Sequence, residues 1–308
     1  MHNRNLVSVI ITTYGRTDFL ARAIQSVMNQ SYQNIEIIVI DDNANNIPVR
    51  NAVKKIVQKY PKCRLLINNK NLGGSLSRNE GIKVAYGDFI SFLDDDDTYE
   101  SKRIERCIDE YYTHEEGSIG LVYTYVNVLD ARGKKLKEYR NDVGDTPLYD
   151  HMMSCKAATS QWFCPYYIFE KVGMFEESPC KQDAIMLLKI LVGGYQLACV
   201  KEALVNYTEH DQGRISGISE KNIYGLKKYH MWCEKNYHLL THAQMRMVEA
   251  SFAKQFITMY VVLNKKGEAW HQLRILLKNA PFSKWCFLSF IKCLIGKNYL
   301  KIIRGELE

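Results

Sequence analysis

The sequence predicts an α/β fold in which helices flank a mostly parallel, Rossmann-like sheet, followed by a helical C-terminal extension. Apolar, β-branched runs such as residues 7–12 are typical of strands buried on both faces. Over roughly the first 130 residues these runs alternate with segments of helical periodicity, which indicates parallel strands joined by helical crossovers. From residue 222 onward the pattern is helical, without turn-rich interruptions until residues 279–281.

Each element of the predicted sheet has a signal of its own. Thr17 and Asp18 offer an N-cap after the first strand, and apolar residues then recur at helical spacing up to Met28. Residues 139–161 give no readable pattern. The remaining elements are predicted as strands 35–40, 64–67, 89–93 and 119–126 and helices 49–60, 75–85 and 101–112.

The composition is that of an ordinary globular chain. With 308 residues, 46% apolar and 24% charged, it suits one large domain, or one domain with an appendage. The first residues lead into a strand without a signal-peptide pattern, and no apolar run reaches the roughly 18 residues that span a bilayer. Nine scattered cysteines without a CxxC pair suggest reduced thiols. We therefore expect a cytoplasmic protein.

The net charge of +7 is concentrated toward the C-terminal end. Residues 265–308 contain nine basic and three acidic side chains, with Trp285, Phe287 and Phe290 among the lysines. A basic segment with interleaved aromatic residues is suited to peripheral contact with the anionic inner face of a membrane, and a solvated helical face is the alternative. Because no recognition motif accompanies the charge, we do not expect nucleic acid as a partner.

Three polar segments follow strands of the predicted sheet, where ligands of such sheets bind. They are Thr12-Thr13-Tyr14, Asp41-Asp42-Asn43 and Asp94-Asp95-Asp96-Asp97. Four adjacent carboxylates repel one another, and a hard cation such as Mg²⁺ or Mn²⁺ relieves that repulsion. The run therefore suggests a site for a divalent cation and a diphosphate. A simple acidic loop or a helix N-terminus is the alternative.

In order and spacing, these segments resemble the successive motifs of glycosyltransferase family 2. The resemblance is close over the first 100 residues and weaker up to residue 216. It implies a GT-A fold for residues 1–221, a nucleotide-diphosphate sugar donor and inversion at the anomeric carbon, with residues 222–308 as a helical C-terminal region. It rests on the segments VSVIITTY (7–14), IVIDDN (38–43), NLG (71–73) with Arg78-Asn79, and FLDDDD (92–97).

The resemblance assigns the residues that bind the nucleotide sugar. Asp42 is expected to accept the N3–H of a uracil ring, with Asp41 shaping the turn beside it. Thr13 and Tyr14 are expected to wall the base pocket, and Arg78 to reach the base or the diphosphate. The alternatives are an Asx turn at Asp42, core packing of Tyr14 and a helical surface position for Arg78.

Within the acidic run, the family pattern Asp-x-Asp gives the carboxylates different roles. Asp94 is expected beside the ribose and the metal, and Asp96 as the direct ligand of Mn²⁺ or Mg²⁺. Asp95 occupies the variable position and is counted with the residues that bind the nucleotide sugar. Asp97 positions the site or caps the helix that follows. The metal bridges the donor phosphates and neutralises the leaving diphosphate.

Inversion in a single displacement requires a base that deprotonates the acceptor hydroxyl. Residues 173–177 (GMFEE) and 181–190 (KQDAIMLLKI) resemble the family element that carries this base. The resemblance assigns the base to Asp183, at the start of a predicted helix over 184–191, where the helix dipole favours a carboxylate. A plain carboxylate at the helix N-terminus is the alternative.

Two further segments resemble family motifs more weakly. His210 is expected at the metal or the diphosphate and Arg214 at the leaving phosphates, with a structural role as the alternative for the histidine. Gln161 and Trp162 lie where relatives line the acceptor pocket. The indole is expected to stack on a sugar face there, and core packing is its alternative.

Together these assignments predict a metal-dependent, inverting hexosyl- or N-acetylhexosaminyltransferase that uses a UDP-sugar. The predicted acceptor is a glycan or lipid-linked glycan of a bacterial surface polysaccharide. The C-terminal region would serve membrane docking, acceptor placement or oligomer formation. A non-catalytic glycan-binding or scaffold protein is the first alternative. A sugar-nucleotide pyrophosphorylase is disfavoured, because residues 12–16 contain one glycine instead of a Gly-rich nucleotide loop.

Overall fold

The structure is a computed structural model that describes residues 5–209 and 218–296. Its backbone contacts separate two compact units. The described residues of the first unit are 5–147, 155–177 and 182–209, and those of the second are 148–154, 178–181 and 218–296. Two short segments, 148–154 and 178–181, lie between stretches of the first unit but belong to the second unit, which no sequence pattern indicated. The division at residue 221 stays a prediction.

Strands and helices alternate as the sequence predicts, and the α/β fold is confirmed. The strands are β1 (Val7–Thr13), β2 (Ile35–Asp41), β3 (Cys63–Ile67), β4 (Phe89–Asp94), β5 (Thr98–Tyr99), β6 (Ile119–Leu129), β7 (Lys135–Tyr139), β8 (Phe163–Pro165) and β9 (Gln196–Thr208). The helices are α1 (Leu20–Met28), α2 (Ile47–Val57), α3 (Gly73–Val84), α4 (Arg103–Tyr111), α5 (Pro147–Met153), α6 (Tyr167–Lys171), α7 (Gln182–Val192), α8 (Glu220–Lys235), α9 (His242–Val262), α10 (Lys266–Asn279) and α11 (Lys284–Ile295).

The described strands form one mixed sheet in the order β3-β2-β1-β4-β8-β6-β9-β5, with β7 paired to β6. The four strands β3, β2, β1 and β4 are parallel, as βαβ units require, and β6 is parallel to β9. Strand β8 is antiparallel to both β4 and β6 and so joins the two parallel groups. With three residues, β8 is too short to be recognised from a sequence pattern.

The register of three neighbouring strands brings their carboxyl ends together. Thr13 of β1 lies opposite Asp41 of β2, and Thr12 lies opposite Asp94 of β4. Apolar clusters cover both faces of these strands. The polar segments therefore lie at the edge where the apolar core ends, as their position after each strand predicted.

Helix α1 starts later than its sequence indicated. Thr17 and Asp18 do not cap it, because the N-cap is Phe19, whose side chain makes no capping hydrogen bond. The helix is instead stabilised by packing. Leu20 and Ile24 are fully buried in the core on one face of the sheet, and burial of such a side chain contributes about 1.5–3 kcal/mol.

Helix α3 lies close to the sheet because of a glycine. A Cβ at Gly81 would approach the side chain of Ile10 in β1 to 2.5 Å. The helix begins at Gly73, whose φ of 76° is a left-handed conformation that a side chain would strain. The two glycines thus fix where α3 starts and how near it approaches β1, and with this the position of Arg78 between them.

The second unit consists mainly of α8, α9, α10 and α11. Its helix starts are encoded locally, because the hydroxyls of Ser219, Thr241 and Ser283 accept backbone N–H groups as N-caps of α8, α9 and α11. Gln244 completes a capping box at the start of α9. No helix among the described residues is both long and apolar enough to cross a membrane.

Candidate active site

The four aspartates form a tight turn at the end of β4. The Asp97 N–H donates to the Asp94 carbonyl at 3.1 Å, and the chain then enters β5. This reversal sends the carboxylates in different directions: Asp95 and Asp97 are buried, whereas Asp94 and Asp96 are partly exposed. A strand follows the run, so a helix N-terminus and a helix-capping role for Asp97 are both wrong.

Three of the four carboxylates converge. One oxygen each from Asp94, Asp96 and Asp97 lie within 4.8 Å of one another. A set of carboxylate oxygens suits Mg²⁺ or Mn²⁺, which in nucleotide sites also takes oxygens from phosphates and water. The residues present therefore fit the divalent cation that the resemblance implies.

Asp97 is held in place by a residue that sequence reasoning missed. Ser160 Oγ donates to Asp97 Oδ2 at 2.7 Å and accepts the Asp94 N–H at 3.1 Å. Burial raises the pKa of Asp97 well above its usual range, and the charges of Asp96 and Asp94 raise it further. A cation at this group would favour the ionised form. Ser160 lies in the segment without a readable pattern, and no sequence feature distinguishes it.

Asp95 faces away from this group, which corrects its assignment to the nucleotide sugar. Its carboxylate is fully buried, with Oδ1 2.7 Å from Arg16 Nη2 and Oδ2 accepting the Thr13 hydroxyl at 2.7 Å. Burial raises the pKa of Asp95 to about 7, and Arg16 and Thr13 offset only part of that effect. Asp95 therefore holds the loop after β1 in place, and the Thr13 hydroxyl donates its hydrogen bond to Asp95.

Arg16 is a second site residue that the sequence reasoning missed. Its Nη1 lies 2.5 Å from Asp96 Oδ2, so that one guanidinium pairs with both Asp95 and Asp96. Burial works to lower the pKa of Arg16, but the charges of Asp95, Asp96 and Asp94 raise it overall. The available signal was its position three residues after β1, because the pairing of β1 with β4 brings that loop to the acidic run.

Arg78 pairs with the other side of the acidic group. Its Nη2 lies 2.5 Å from Asp94 Oδ1, and its guanidinium carbon lies 6.0 Å from the centroid of the Phe175 ring. Arg78 is 4% exposed, so the alternative of a helical surface arginine is wrong. Its contact with a base or a diphosphate stays a prediction.

Asp42 ties the end of β2 to the start of α3. Its Oδ1 accepts from Asn68 Nδ2 and from the Leu72 N–H, both at 2.8 Å. Its Oδ2 accepts the Gly73 N–H, also at 2.8 Å. Any uracil N–H that binds here must share an oxygen with one of these donors. The role of Asp42 in base binding stays a prediction.

Asp41 forms the Asx turn at this strand end. Its Oδ1 accepts the backbone N–H of Asn43 at 3.0 Å and the Asn43 side-chain amide at 2.7 Å. Asn43 Oδ1 in turn accepts the Gly15 N–H at 2.7 Å, which connects the β2 end to the loop after β1. In that loop Tyr14 is 59% exposed, so core packing of this ring is wrong and its face is open to a ligand.

Asp183 lies in the first turn of α7, partly buried, and its Oδ1 accepts the Ala184 N–H at 2.8 Å. The start of α7 approaches the start of α3. A Cβ at Gly74 would lie 3.3 Å from Gln182 Nε2 and 3.2 Å from Arg78 Nη1. The residue before Asp183 therefore lies beside the arginine that pairs with the acidic run.

Tyr207 of β9 is affected by the charges of the acidic run and of Asp183. Burial raises the pKa of its hydroxyl well above the usual range, and the charges of Asp97, Asp94 and Asp183 raise it further. The hydroxyl donates to Gln161 Oε1 at 3.1 Å. Because all three carboxylates act on one hydroxyl, the fold brings Asp183 near the acidic run despite their separation along the chain.

Gln161 and Trp162 are both buried. Trp162 has no exposed surface, its indole stacks on Phe175 at 5.6 Å, and its Nε1 donates to the Ala157 carbonyl at 3.1 Å. Stacking of Trp162 on an acceptor sugar is therefore wrong, and core packing is its role. Gln161 Nε2 donates to the Thr124 carbonyl at 2.6 Å, which fixes this side chain inside the first unit. His210 and Arg214 lie outside the described residues, and their assignments stay predictions.

The fold is that of GT-A glycosyltransferases. The structure of TarS from S. aureus in complex with UDP-GlcNAc matches with a TM-score of 0.69. The match covers 98% of this chain and 92% of that chain at 14% identity, so the likeness concerns the fold. A family model described as glycosyl transferase family 2 matches residues 8–172, more than half of the chain. The chain therefore belongs to glycosyltransferase family 2.

Curated relatives agree with this membership. An uncharacterized glycosyltransferase of Methanocaldococcus jannaschii is 25% identical over 230 residues, 72% of this chain and 77% of that protein. The putative colanic acid biosynthesis glycosyl transferase WcaA of Escherichia coli K12 is 24% identical over 291 residues, 90% of this chain and 95% of WcaA.

Proposed function

We propose that the protein is an inverting glycosyltransferase that moves a sugar from a UDP-sugar to a hydroxyl of a glycan or lipid-linked glycan, at the cytoplasmic side of a bacterial envelope. Family membership supports the reaction class. The TarS structures, which contain UDP and UDP-GlcNAc, support a uridine donor. WcaA, with its putative role in colanic acid biosynthesis, supports a polysaccharide product.

The observation that carries the proposal is an acidic trio at one edge of the sheet together with a further carboxylate whose charge acts on the same tyrosine. Asp94, Asp96 and Asp97 converge within 4.8 Å. Asp183 acts on the same Tyr207 hydroxyl as Asp94 and Asp97. A single displacement needs a group that stabilises the leaving diphosphate and a separate base for the acceptor. The trio suits the first task and Asp183 the second.

On the donor side, a divalent cation held by Asp94, Asp96 and Asp97 would supply charge neutralisation for the leaving diphosphate. Arg16 pairs with Asp96, and Arg78 pairs with Asp94. Guanidinium groups form bidentate contacts with phosphate oxygens. We therefore expect both arginines to turn toward the diphosphate and to hold its oxygens in line with the bond that breaks.

On the acceptor side, Asp183 takes the hydroxyl proton at a carboxylate oxygen. The acceptor oxygen then forms its bond to the anomeric carbon while the bond from that carbon to the diphosphate oxygen breaks. The proton stays on Asp183 and the electron pair leaves with the nucleoside diphosphate. Asp183 lies in the first turn of α7, where the positive end of the helix dipole attracts a carboxylate.

The test of the proposed function is the substitution Asp183→Asn, which keeps the shape of the side chain and removes its basicity. We expect nucleoside diphosphate release from a panel of UDP-, GDP- and dTDP-sugars with Mn²⁺ and an acceptor glycan to fall by about 10²–10⁴-fold in kcat, with donor KM nearly unchanged. The matched control is Asp109→Asn, an exposed aspartate of α4, which keeps wild-type turnover. Equal turnover of the two variants would exclude Asp183 as the base.

The same panel separates the transferase from a non-catalytic glycan-binding protein of this fold. A transferase releases nucleoside diphosphate from at least one donor, and the Asp183→Asn variant still binds that donor. If wild type releases no nucleoside diphosphate from any donor but still binds UDP, the non-catalytic alternative is correct.

A further inference from the structure

Helix α11 of the second unit is inverted relative to an ordinary amphipathic helix. The side chains that it buries are small, Cys286, Ser289 and Cys293. Four of its large apolar side chains are exposed, including Phe287 at 68% and Leu294 at 59%. A helix of a globular protein normally turns its apolar stripe to the core. The exposed side of α11 therefore has the composition of a buried surface.

Most of the exposed apolar residues of α11 lie on one side of the helix. Helical geometry places positions i, i+4 and i+7 on one side, so the residues at 287, 291 and 294 share a face, and Leu288 lies at its edge. Phe282, fully exposed in the connection from α10, precedes that face directly. Contiguous apolar patches of this kind mark contact sites for proteins or membranes. We call this surface the α11 face; it consists of the exposed Phe282, Phe287, Leu288 and Leu294 and the half-buried Ile291.

Lysines border the α11 face. Lys284 is exposed at the first position of the helix. On one flank Lys292 Nζ donates to Thr258 Oγ1 at 3.0 Å, and Lys254 Nζ lies 4.4 Å from the centroid of the Trp285 ring. Burial lowers the pKa of Lys292, and the charge of Lys254 lowers it further, so these two ammonium groups are close enough to repel. An anionic surface over this flank would relieve the repulsion.

The charges decide between a second copy of the chain and a lipid surface. A two-fold contact places the same basic patch on both sides, so two patches of like net charge would be brought together. An anionic bilayer suits both parts of the surface, since apolar side chains enter the acyl boundary while lysines and an aromatic flank remain at the head groups. Residues 265–308 as a whole carry nine basic and three acidic side chains, which favours the anionic surface.

We propose that α11 docks in the plane of an anionic lipid bilayer, with the α11 face inserted and Lys254, Lys284 and Lys292 at the head groups. This docking rests on the proposed function only for its purpose, because a lipid-linked acceptor would be presented at the same surface. Its physical basis lies in the second unit and requires no step of the transfer reaction.

The test is co-sedimentation of the full chain with vesicles of phosphatidylcholine alone or of phosphatidylcholine with phosphatidylglycerol. We expect binding to the mixed vesicles that weakens with added salt, and much weaker binding to phosphatidylcholine alone. The double variant Phe287→Ser with Leu294→Ser should lose affinity by about tenfold or more, because both side chains leave the acyl boundary. The control is Tyr224→Ser, which alters a similarly exposed residue of α8 at 62% and should keep wild-type affinity.

Three results would overturn the docking. The first is that wild type fails to bind the mixed vesicles, and the second is that the double variant binds them as tightly as wild type. The third is a lipid-free dimer, seen by sedimentation velocity, that the double variant abolishes, which would make a second copy the occupant. Nucleoside diphosphate release measured without vesicles should be equal in wild type and the double variant. A failure of docking is therefore distinguishable from a failure of the proposed transferase.

Discussion

The described residues contain a group of side chains with the spacing of metal ligands in each unit, and the two groups differ in how their charges are balanced. In the first unit the group is three carboxylates from one turn. In the second unit it combines an imidazole with two carboxylates from two helices. The groups are Asp94, Asp96 and Asp97, and His230, Glu234 and Glu249.

In the second unit, two members of the group pair with each other. His230 Nε2 lies 3.0 Å from Glu249 Oε1, and the imidazole packs 4.4 Å from the Phe252 ring. Burial works to raise the pKa of Glu249, but His230 lowers it overall. Glu234 is exposed. The pair therefore connects α8 to α9 as a structural contact.

In the first unit, the members of the group cannot form ion pairs with one another, because all three are carboxylates. Two arginines from other elements provide the balance, Arg16 from the loop after β1 and Arg78 from α3. An arginine side chain can exchange one anionic partner for another by rotating its own bonds, without a change in the backbone. The comparison teaches that ligand spacing alone does not define a metal site. A group of like charges whose counter-charges come from other elements is the stronger candidate.

The largest expected effect comes from Asp96→Ala, which removes a carboxylate from the first group. We expect nucleoside diphosphate release to fall by about 10³-fold, because the leaving diphosphate loses its cation. The stabilisation that Mn²⁺ and UDP together give to the thermal midpoint should disappear as well. The control Glu234→Gln removes a carboxylate from the second group and should change neither. Loss of the Mn²⁺ effect in Glu234→Gln alone would reverse the assignment of the two groups.

A smaller effect is expected from Arg16→Ala, which removes one counter-charge. It leaves Asp95 buried without its arginine, and the free energy of unfolding should fall by about 2 kcal/mol at neutral pH. The loss is limited because burial already raises the pKa of Asp95 to about 7, so that protonation offsets part of the cost. Urea denaturation measures the difference.

The matching variant is Arg16→Ala combined with Asp95→Asn. Without a buried charge, this double variant should be more stable than Arg16→Ala alone. An equal stability of the single and double variants would show that Arg16 does not serve as the counter-charge of Asp95.

The smallest effect is expected from Glu249→Gln in the second group, about 1 kcal/mol lower stability near neutral pH. The folded state lowers the pKa of Glu249 below its unfolded value of about 4.3. This contribution is therefore present above that pH and is lost as the pH falls through the folded value. The stability difference between wild type and Glu249→Gln should shrink as the pH falls below about 4.3, whereas the control Glu268→Gln on α10 should show no such trend. A difference that grows as the pH falls through this acidic range would contradict the pairing.

Local pattern predicted the parallel core of the sheet, because buried strands and amphipathic helices have distinct periodicities. The strands β1 to β4 and their crossover helices match the expected segments to within a few residues. The short strand β8 and the two segments assigned to the second unit were not predictable. Their place is set by pairing and packing with distant residues, which no local periodicity records.

The sequence by itself determined the chemistry at the edge of the sheet, since the order of strands and the acidic run at residues 94–97 are written in it. Only the tertiary structure decided which side chains face that edge. It turned Asp95 inward onto Arg16, buried Trp162 against Phe175, and brought Asp183 near the acidic run. The physical reason is that burial and charge pairing depend on neighbours from other strands and helices, whose approach is fixed by packing and not by spacing along the chain.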